Sequence, residues 1–247
     1  MMQKPESYTP TQLFNKVRRR LNNLCETPIE VFVFHAVSDS FDEHLNKRVD
    51  WSQTEEFKNH ILLLKKKYTF ISLEEAYHKL RRDWFRKKRY AVLTCDDGYA
   101  SVLNILPFLE DEHIPVTLFI NPKYLDGVSR REGYADTPQY ITHHQLWSLG
   151  SPLMTIGLHG YEHLDATEQS ALEFEQSIDK CIELLQSHTR YIPYFAYTWG
   201  RYTSATQHLL KKKRIIPVLT DGEPNYRYHR GISRKPIDSH YWDKLKI

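Results

Sequence analysis

The sequence predicts an α/β fold in which a mainly parallel sheet is wrapped by helices, closer to a barrel than to a small open sheet. Three observations carry this reading. β-Branched and aromatic runs alternate with helix-period segments along nearly the whole chain. About seven such strand–helix units fit within 247 residues. No linker, fixed-period repeat or low-complexity stretch interrupts them, so a single domain is the simplest account.

In chain order, Ile29 to His35 (IEVFVFH) reads as a buried strand. Thr54 to Lys67 is helical, with Phe57, Ile61, Leu64 and then Tyr68 at helical spacing. Thr69 to Ile71 is a short strand, and Ser72 with Glu75 forms a capping-box pattern for a helix through Leu80. Tyr90 to Cys95 is a strand, followed by a helix from Tyr99 to Asp111 that bends near Pro107. Val116 to Ile120 is a strand; Thr142 to Leu149 is a short helix capped by Thr142. Met154 to Leu158 is a strand and Thr167 to His188 a long helix. Pro193 to Tyr197, Ser204 to Lys213 and Ile215 to Leu219 continue as strand, helix and strand. The last ~25 residues read as irregular, with one further strand at Gly231 to Ser233.

Composition excludes several classes. With 40% hydrophobic and 13% aromatic residues the chain can build a packed core, so disorder is excluded. No apolar run reaches the ~18 residues of a membrane span. The start MMQKPESYTPTQLF lacks an apolar signal core, so a secretory leader is not expected. Cys25, Cys95 and Cys181 are odd in number and far apart, which speaks against a disulfide framework and for a reducing compartment. The net charge of +3 does not mark a nucleic-acid binder. The positive charge is clumped at 16–20, 65–67, 86–89 and 211–214, as helix ends before strands often are. Thr11 to Leu24 has the pattern of a basic amphipathic helix, so residues 1–28 are set apart as a basic helical segment from the domain at 29–247.

Functional groups of parallel α/β folds collect at the C-terminal ends of strands. Here those ends carry His35; Asp96, Asp97 and Gly98; His159 and His163; and Thr198, Trp199 and Gly200. His159 and His163 are four apart, which on a helical turn puts both rings on one side. Two imidazoles plus a carboxylate make a hydrolytic metal site with open positions. Gly98 lets both aspartates turn into one pocket, one for the metal and one for protons, although spacing does not say which is which.

The stretches LTCDDGY, IGLHGYEH and FAYTWG, in this order and spacing, resemble the NodB-homology polysaccharide deacetylases, the carbohydrate esterase family 4 type. The resemblance runs from about Ile29 to Ser233. It implies a distorted (β/α)7 barrel and a hydrolase that removes the acetyl group from an N-acetylated sugar during polysaccharide or lipopolysaccharide biosynthesis. It assigns Asp96 as general base and Asp97, His159 and His163 as ligands of one divalent ion, commonly zinc, with cobalt, nickel or iron as alternatives. The metal would polarise the acetamide and bind water, with the backbone N–H of Trp199 helping to hold the oxyanion. A late Leu-x-His motif is missing, and the branch that uses an early histidine makes His35 the general acid, with His229 and His240 behind it. Tyr99, Tyr161, Tyr197 and Trp199 adjoin the motifs as candidate sugar-stacking aromatics.

The chain departs from the family pattern at three places. Ala196 replaces an arginine that could orient Asp96, Thr198 replaces a proline and is expected to loosen the oxyanion turn, and Cys95 replaces a phenylalanine. The expected partner is an N-acetylated glycan or glycolipid, not nucleic acid, with a weak membrane-surface association and a cytoplasmic location at the inner membrane face. A non-catalytic glycan-binding protein and a small-amide hydrolase are the competing functions on this scaffold.

Overall fold

The computed structural model describes residues 27–39, 51–83, 86–129 and 139–242, without the side chains of 240 and 241. The predicted N-terminal helix, Cys25 and the His240 side chain lie outside the described residues. The elements are β1 (Ile29–Phe34), β2 (Ala36–Val37), β3 (Trp51–Ser52), α1 (Thr54–Lys67), β4 (Thr69–Phe70), α2 (Leu73–Arg82), β5 (Tyr90–Cys95), α3 (Leu106–Asp111) and β6 (Val116–Ile120). They continue as α4 (His143–Ser148), β7 (Met154–Leu158), α5 (Ala171–Leu185), β8 (Tyr191–Ala196), α6 (Ser204–Lys212), β9 (Ile216–Leu219), β10 (Ile232–Ser233), β11 (Lys235–Pro236) and α7 (Ser239–Trp242). Short 3-10 turns follow β5, β6 and β8.

The strands form a nearly closed parallel barrel in the order β10-β9-β8-β7-β6-β5-β1-β11, with β4 added beside the start of β5. β10 and β11 are one interrupted strand: Ile232 and Ser233 pair with β9, and after Arg234 the chain pairs Lys235 and Pro236 with β1. Taken as one seam strand, they complete seven positions, the distorted (β/α)7 barrel that the motifs imply. The sequence reading placed only Gly231–Ser233 as strand in an irregular tail. β11 and α7 are too short for periodicity to reveal, as are β2 and β3.

Alternation along each strand divides the core in two. Val31, Val92, Phe119, Tyr194, Ala196 and Val218 point into the barrel, and α2 closes its N-terminal end with Leu73, Ala76 and Leu80. Phe34, Leu93, Cys95, Leu118, Leu158 and Phe195 point outward against α1, α5 and α6 through Phe57, Ile61, Phe174, Ile178 and Leu210. Cys95 therefore faces the helical layer, as a core thiol, and not the pocket. Gly157 is required beside Phe119, because a Cβ there would stand 2.5 Å from that ring.

Local rules explain the helix limits. Thr142, Ser170 and Thr203 cap α4, α5 and α6 with reciprocal capping boxes. α5 starts later than the predicted Thr167 because Asp165 Oδ1 captures both the Thr167 N–H (2.8 Å) and its hydroxyl (2.7 Å), holding a turn ahead of Ser170. The basic runs at 65–67 and 211–212 end α1 and α6, where they oppose the helix dipole. Arg86 is buried and donates to the carbonyls of Lys79 (3.0 Å) and Asp83 (2.6 Å), closing the end of α2. Among the described residues no helix is long and apolar enough to cross a membrane.

Arg234 sits at the break in the seam strand and enters the barrel over the Phe119 ring. All five of its guanidinium N–H groups find acceptors: Leu219 O, Thr94 Oγ1, Thr220 Oγ1 and both oxygens of Asp96, at 2.6 and 2.7 Å. Removing one partner of such a buried pair leaves the other charge uncompensated. Arg234→Met is expected to lower unfolding free energy by about 3–5 kcal/mol in urea titrations, and Arg234→Met/Asp96→Leu to recover most of that loss. Wild-type stability in the single variant would refute the account of the seam.

Candidate metal and acid–base site

Strand parity selects the site. His35 continues the inward series of β1, Asp96 that of β5 and His159 that of β7, so these three side chains meet above the barrel interior. Tyr197 continues the outward series of β8 and packs with Phe174, Phe195 and Tyr202. Tyr99 is fully buried, stacked on Tyr140, which in turn stacks on Tyr124. Both tyrosines, named as candidate sugar contacts, are thus packing residues. Tyr161 is half-buried with Lys180 over its ring, and His229 is exposed.

After β5 the chain turns through two successive left-handed residues, Asp97 (φ 69°) and Gly98 (φ 72°). This turn carries Asp97 into the space that Asp96 already faces, whereas a regular strand would send it to the opposite face. Asp97 Oδ1 lies 3.2 Å from His159 Nε2 and 3.0 Å from His163 Nε2. All three residues are buried, and one ligand atom from each falls within a 4.8 Å cluster.

The two histidines do not share a helical turn. They lie in an irregular loop, with left-handed Gly160 (φ 79°) and His163 (φ 61°), and their rings stand 5.0 Å apart at 71°. Helical spacing suggested the proximity, but loop geometry produces it. Asn121 Nδ2 donates to His159 O (2.6 Å) and Gly160 O (2.9 Å); the Tyr161 N–H donates to Ser177 Oγ (3.0 Å) and the Tyr124 hydroxyl to Glu162 O (3.0 Å). Lys123 adds an ion pair to Glu162.

The donor set fits a divalent metal. His159 Nδ1 lies 2.8 Å from Ala196 O, which only accepts, so Nδ1 carries a proton and Nε2 is the nitrogen that faces Asp97 and is available to a metal. Burial disfavours the charge on Asp97, yet the His163 and His159 imidazoles outweigh it and hold the carboxyl well below the usual range. Two imidazole nitrogens and one ionised carboxylate suit zinc, and cobalt, nickel or iron accept the same donors.

Two further groups flank the ligands. Asp96 Oδ2 is 3.9 Å from His159 Nε2. Burial would raise its pKa, but the Arg234 fork and His159 lower it below the ordinary value. The missing arginine at Ala196 is therefore replaced from the seam strand, 138 residues further along than Asp96. His35 is 21% exposed; its N–H (3.1 Å) and its Nδ1 (3.2 Å) both meet the carboxylate of fully buried Asp238. Burial opposes the imidazolium, but Asp238, with Asp97 and Asp96 behind it, raises the His35 pKa to about 10.

Trp199 stands at the rim, with its ring edge-on to His163 at 4.8 Å and 87°. Thr198 does not loosen this turn. Its hydroxyl donates to Leu164 O at 2.6 Å, a bond proline could not make, and ties the turn to the loop bearing His163. Sequence reading missed Arg234, Asp238 and Asn121. The first two had a usable signal: extending the strand at 231–233 to Asp238 puts Ile232, Arg234 and Asp238 on one face by the period of two.

The polysaccharide deacetylase family model matches residues 85–216, more than half of the chain, and this stretch includes Asp96, Asp97, His159, His163 and Trp199. Among curated proteins none matches. Solved structures with the same fold include IcaB from Ammonifex degensii, with a TM-score of 0.73 and 20% identity over 89% of this chain and 95% of that one. The Streptococcus pyogenes deacetylase PplD, solved with acetate, gives 0.69 and 19% over 86% and 93%. A de-N-acetylase from Aggregatibacter actinomycetemcomitans gives 0.67 and 16% over 84% and 94%. With the barrel and its paired motifs in place, the chain belongs to the polysaccharide deacetylase family of hydrolases.

Proposed function

We propose that this hydrolase removes the acetyl group from an N-acetylated sugar within a glycan, using one divalent ion, zinc by its donor set, held by Asp97, His159 and His163. The observation that carries the reading is the pair of opposite charge contacts beside the ligands: the Arg234 fork meets both oxygens of Asp96 at 2.6 and 2.7 Å, and the Asp238 carboxylate meets His35 Nδ1 at 3.2 Å. Amide hydrolysis needs both, a base for the attacking water and an acid for the leaving amine.

When bound, the ion supplies Lewis acidity toward the acyl oxygen and the attacking water. Asp96 accepts the water proton as the oxygen attacks the acetamide carbon. Arg234 prevents the carboxylate from rotating and keeps it charged. The backbone N–H of Trp199 is the assigned donor to the developing oxyanion. His35 then gives its proton to the nitrogen as the C–N bond breaks, leaving acetate and a free amino sugar. Asp238 fixes the ring, because Nδ1 faces Asp238 and Nε2 is left toward the substrate.

Elemental analysis of the purified protein should find about one divalent ion per chain, absent from a His159→Ala/His163→Ala variant. A wild-type protein that stays metal-free after addition of zinc or cobalt would refute the ligand assignment.

Asp96→Asn should keep the ion and lose roughly 10²–10⁴-fold in kcat on acetylated oligosaccharides. The His35 assignment predicts a pH profile. Because His35 acts as an acid, activity is present below its pKa and lost above it, so kcat/KM should fall near pH 10. In Asp238→Asn the raising carboxylate is gone and burial lowers the pKa, so the alkaline limb moves to lower pH. An unchanged limb would remove His35 from the acid role.

A further inference from the structure

The carbonyls of His159, Gly160, Tyr161 and Glu162, four in succession, all accept hydrogen bonds from one short stretch of chain. Asn121 Nδ2 serves the first two (2.6 and 2.9 Å), the Lys123 N–H the third (3.1 Å) and the Tyr124 hydroxyl the fourth (3.0 Å). The donors are Asn121 and two residues of the 3-10 turn Pro122–Asp126 that follows it. Both donor side chains, Asn121 and Tyr124, are buried. The Glu162 carbonyl directly precedes His163, whose left-handed backbone (φ 61°) is one that a non-glycine residue keeps only when its surroundings impose it.

Tyr124 also reaches the other arm of the site. Its ring stacks on Tyr140 (4.6 Å, 19°), and Tyr140 stacks on Tyr99 (5.1 Å, 22°). The Tyr140 segment is paired with the turn that follows Asp97: the Ala100 N–H donates to Gln139 O (2.7 Å) and the Ile141 N–H to Gly98 O (2.8 Å). One side chain thus ties the loop of His163 by its hydroxyl and the turn of Asp97 by its ring. A ligand set fixed before the ion arrives loses less conformational freedom on binding than one the ion must gather. We infer that Tyr124 and Asn121 are positioning residues for the metal: they set the spacing of Asp97, His159 and His163 ahead of binding, and with it the affinity for a divalent ion. The inference rests on the proposed ligand set and adds to it two residues that do not themselves ligate.

Zinc affinity separates positioning from plain packing. The purified protein is stripped with a chelator and titrated with zinc against a chromophoric competitor. Tyr124→Phe keeps the ring stack and loses the hydroxyl, so it should bind zinc about tenfold more weakly than wild type; Tyr124→Leu loses both and should fall further, toward about 100-fold. Asn121→Ala should lose about tenfold as well. Cobalt-loaded Tyr124→Phe should show shifted visible d–d bands, because the ligand geometry changes. Leu210→Ala, a cavity in the helical layer, should lower the urea midpoint and leave zinc affinity unchanged. Wild-type zinc affinity in both Tyr124→Phe and Asn121→Ala, or an equal loss in Leu210→Ala, overturns the positioning role. A wild-type chain that takes up neither zinc nor cobalt refutes the ligand set itself.

Discussion

The ion pair between Arg234 and Asp96 is the constraint on which barrel and site both depend. Barrel closure passes through Arg234, because the seam strand pairs with β9 before it and with β1 after it. The same residue fills the interior above Phe119 and neutralises a carboxylate that could not be buried alone. Satisfying all five donors makes the pair tolerable in a low-dielectric interior, and it fixes the orientation of Asp96. Stability and the proposed chemistry are therefore coupled: a change that opens the seam also releases the Asp96 carboxylate, the proposed base.

The ligand loop shows how an irregular segment is made rigid without regular structure. Residues 159–163 have no helical or strand ladder to satisfy their backbone, so partners from elsewhere do it. Asn121, Tyr124 and Ser177 bond this segment, and Thr198 fastens the residue that follows it. Each of these partners comes from the segment after β6 or β8, or from α5. The imidazoles are consequently placed by neighbouring barrel units rather than by their own loop, which keeps two left-handed positions, Gly160 and His163, in place.

Much of this was legible in the sequence where the signal is local. β5, β6 and β7 coincide with the predicted strands, and reading the residues after each strand picked out His35, Asp96, Asp97, His159, His163 and Trp199. The proximity of His159 and His163 was read from helical spacing, and the structure reaches it instead through a loop with two left-handed residues. Tyr99 and Tyr197 were named as candidate sugar-stacking aromatics because they adjoin the motifs, but adjacency in sequence ignores the pleat, which sends Tyr197 outward into the helical layer. Arg234 and Asp238 escaped because they sit on or just beyond strands of two residues, and their partners lie 138 and 203 positions away.

The seam strand resolves a problem that the rest of the site poses. An acid and a base cannot share a pocket at the same pH unless something holds each in its working state. Arg234 and Asp238 are four residues apart, so the period of two places them on the same face, one turned to Asp96 and the other to His35. Asp96 and His35 occupy the ends of adjacent strands, one position beyond the registered pair Phe34 and Cys95. One short strand thus presents a cation to the anion and an anion to the cation, and because the pairs are opposite in sign, the buried charges largely cancel. A single register shift in the seam would turn both partners to the other face, removing them from the proposed base and the proposed acid together. Strand parity at the seam, more than any one side chain, is what brings a guanidinium to Asp96 and a carboxylate to His35.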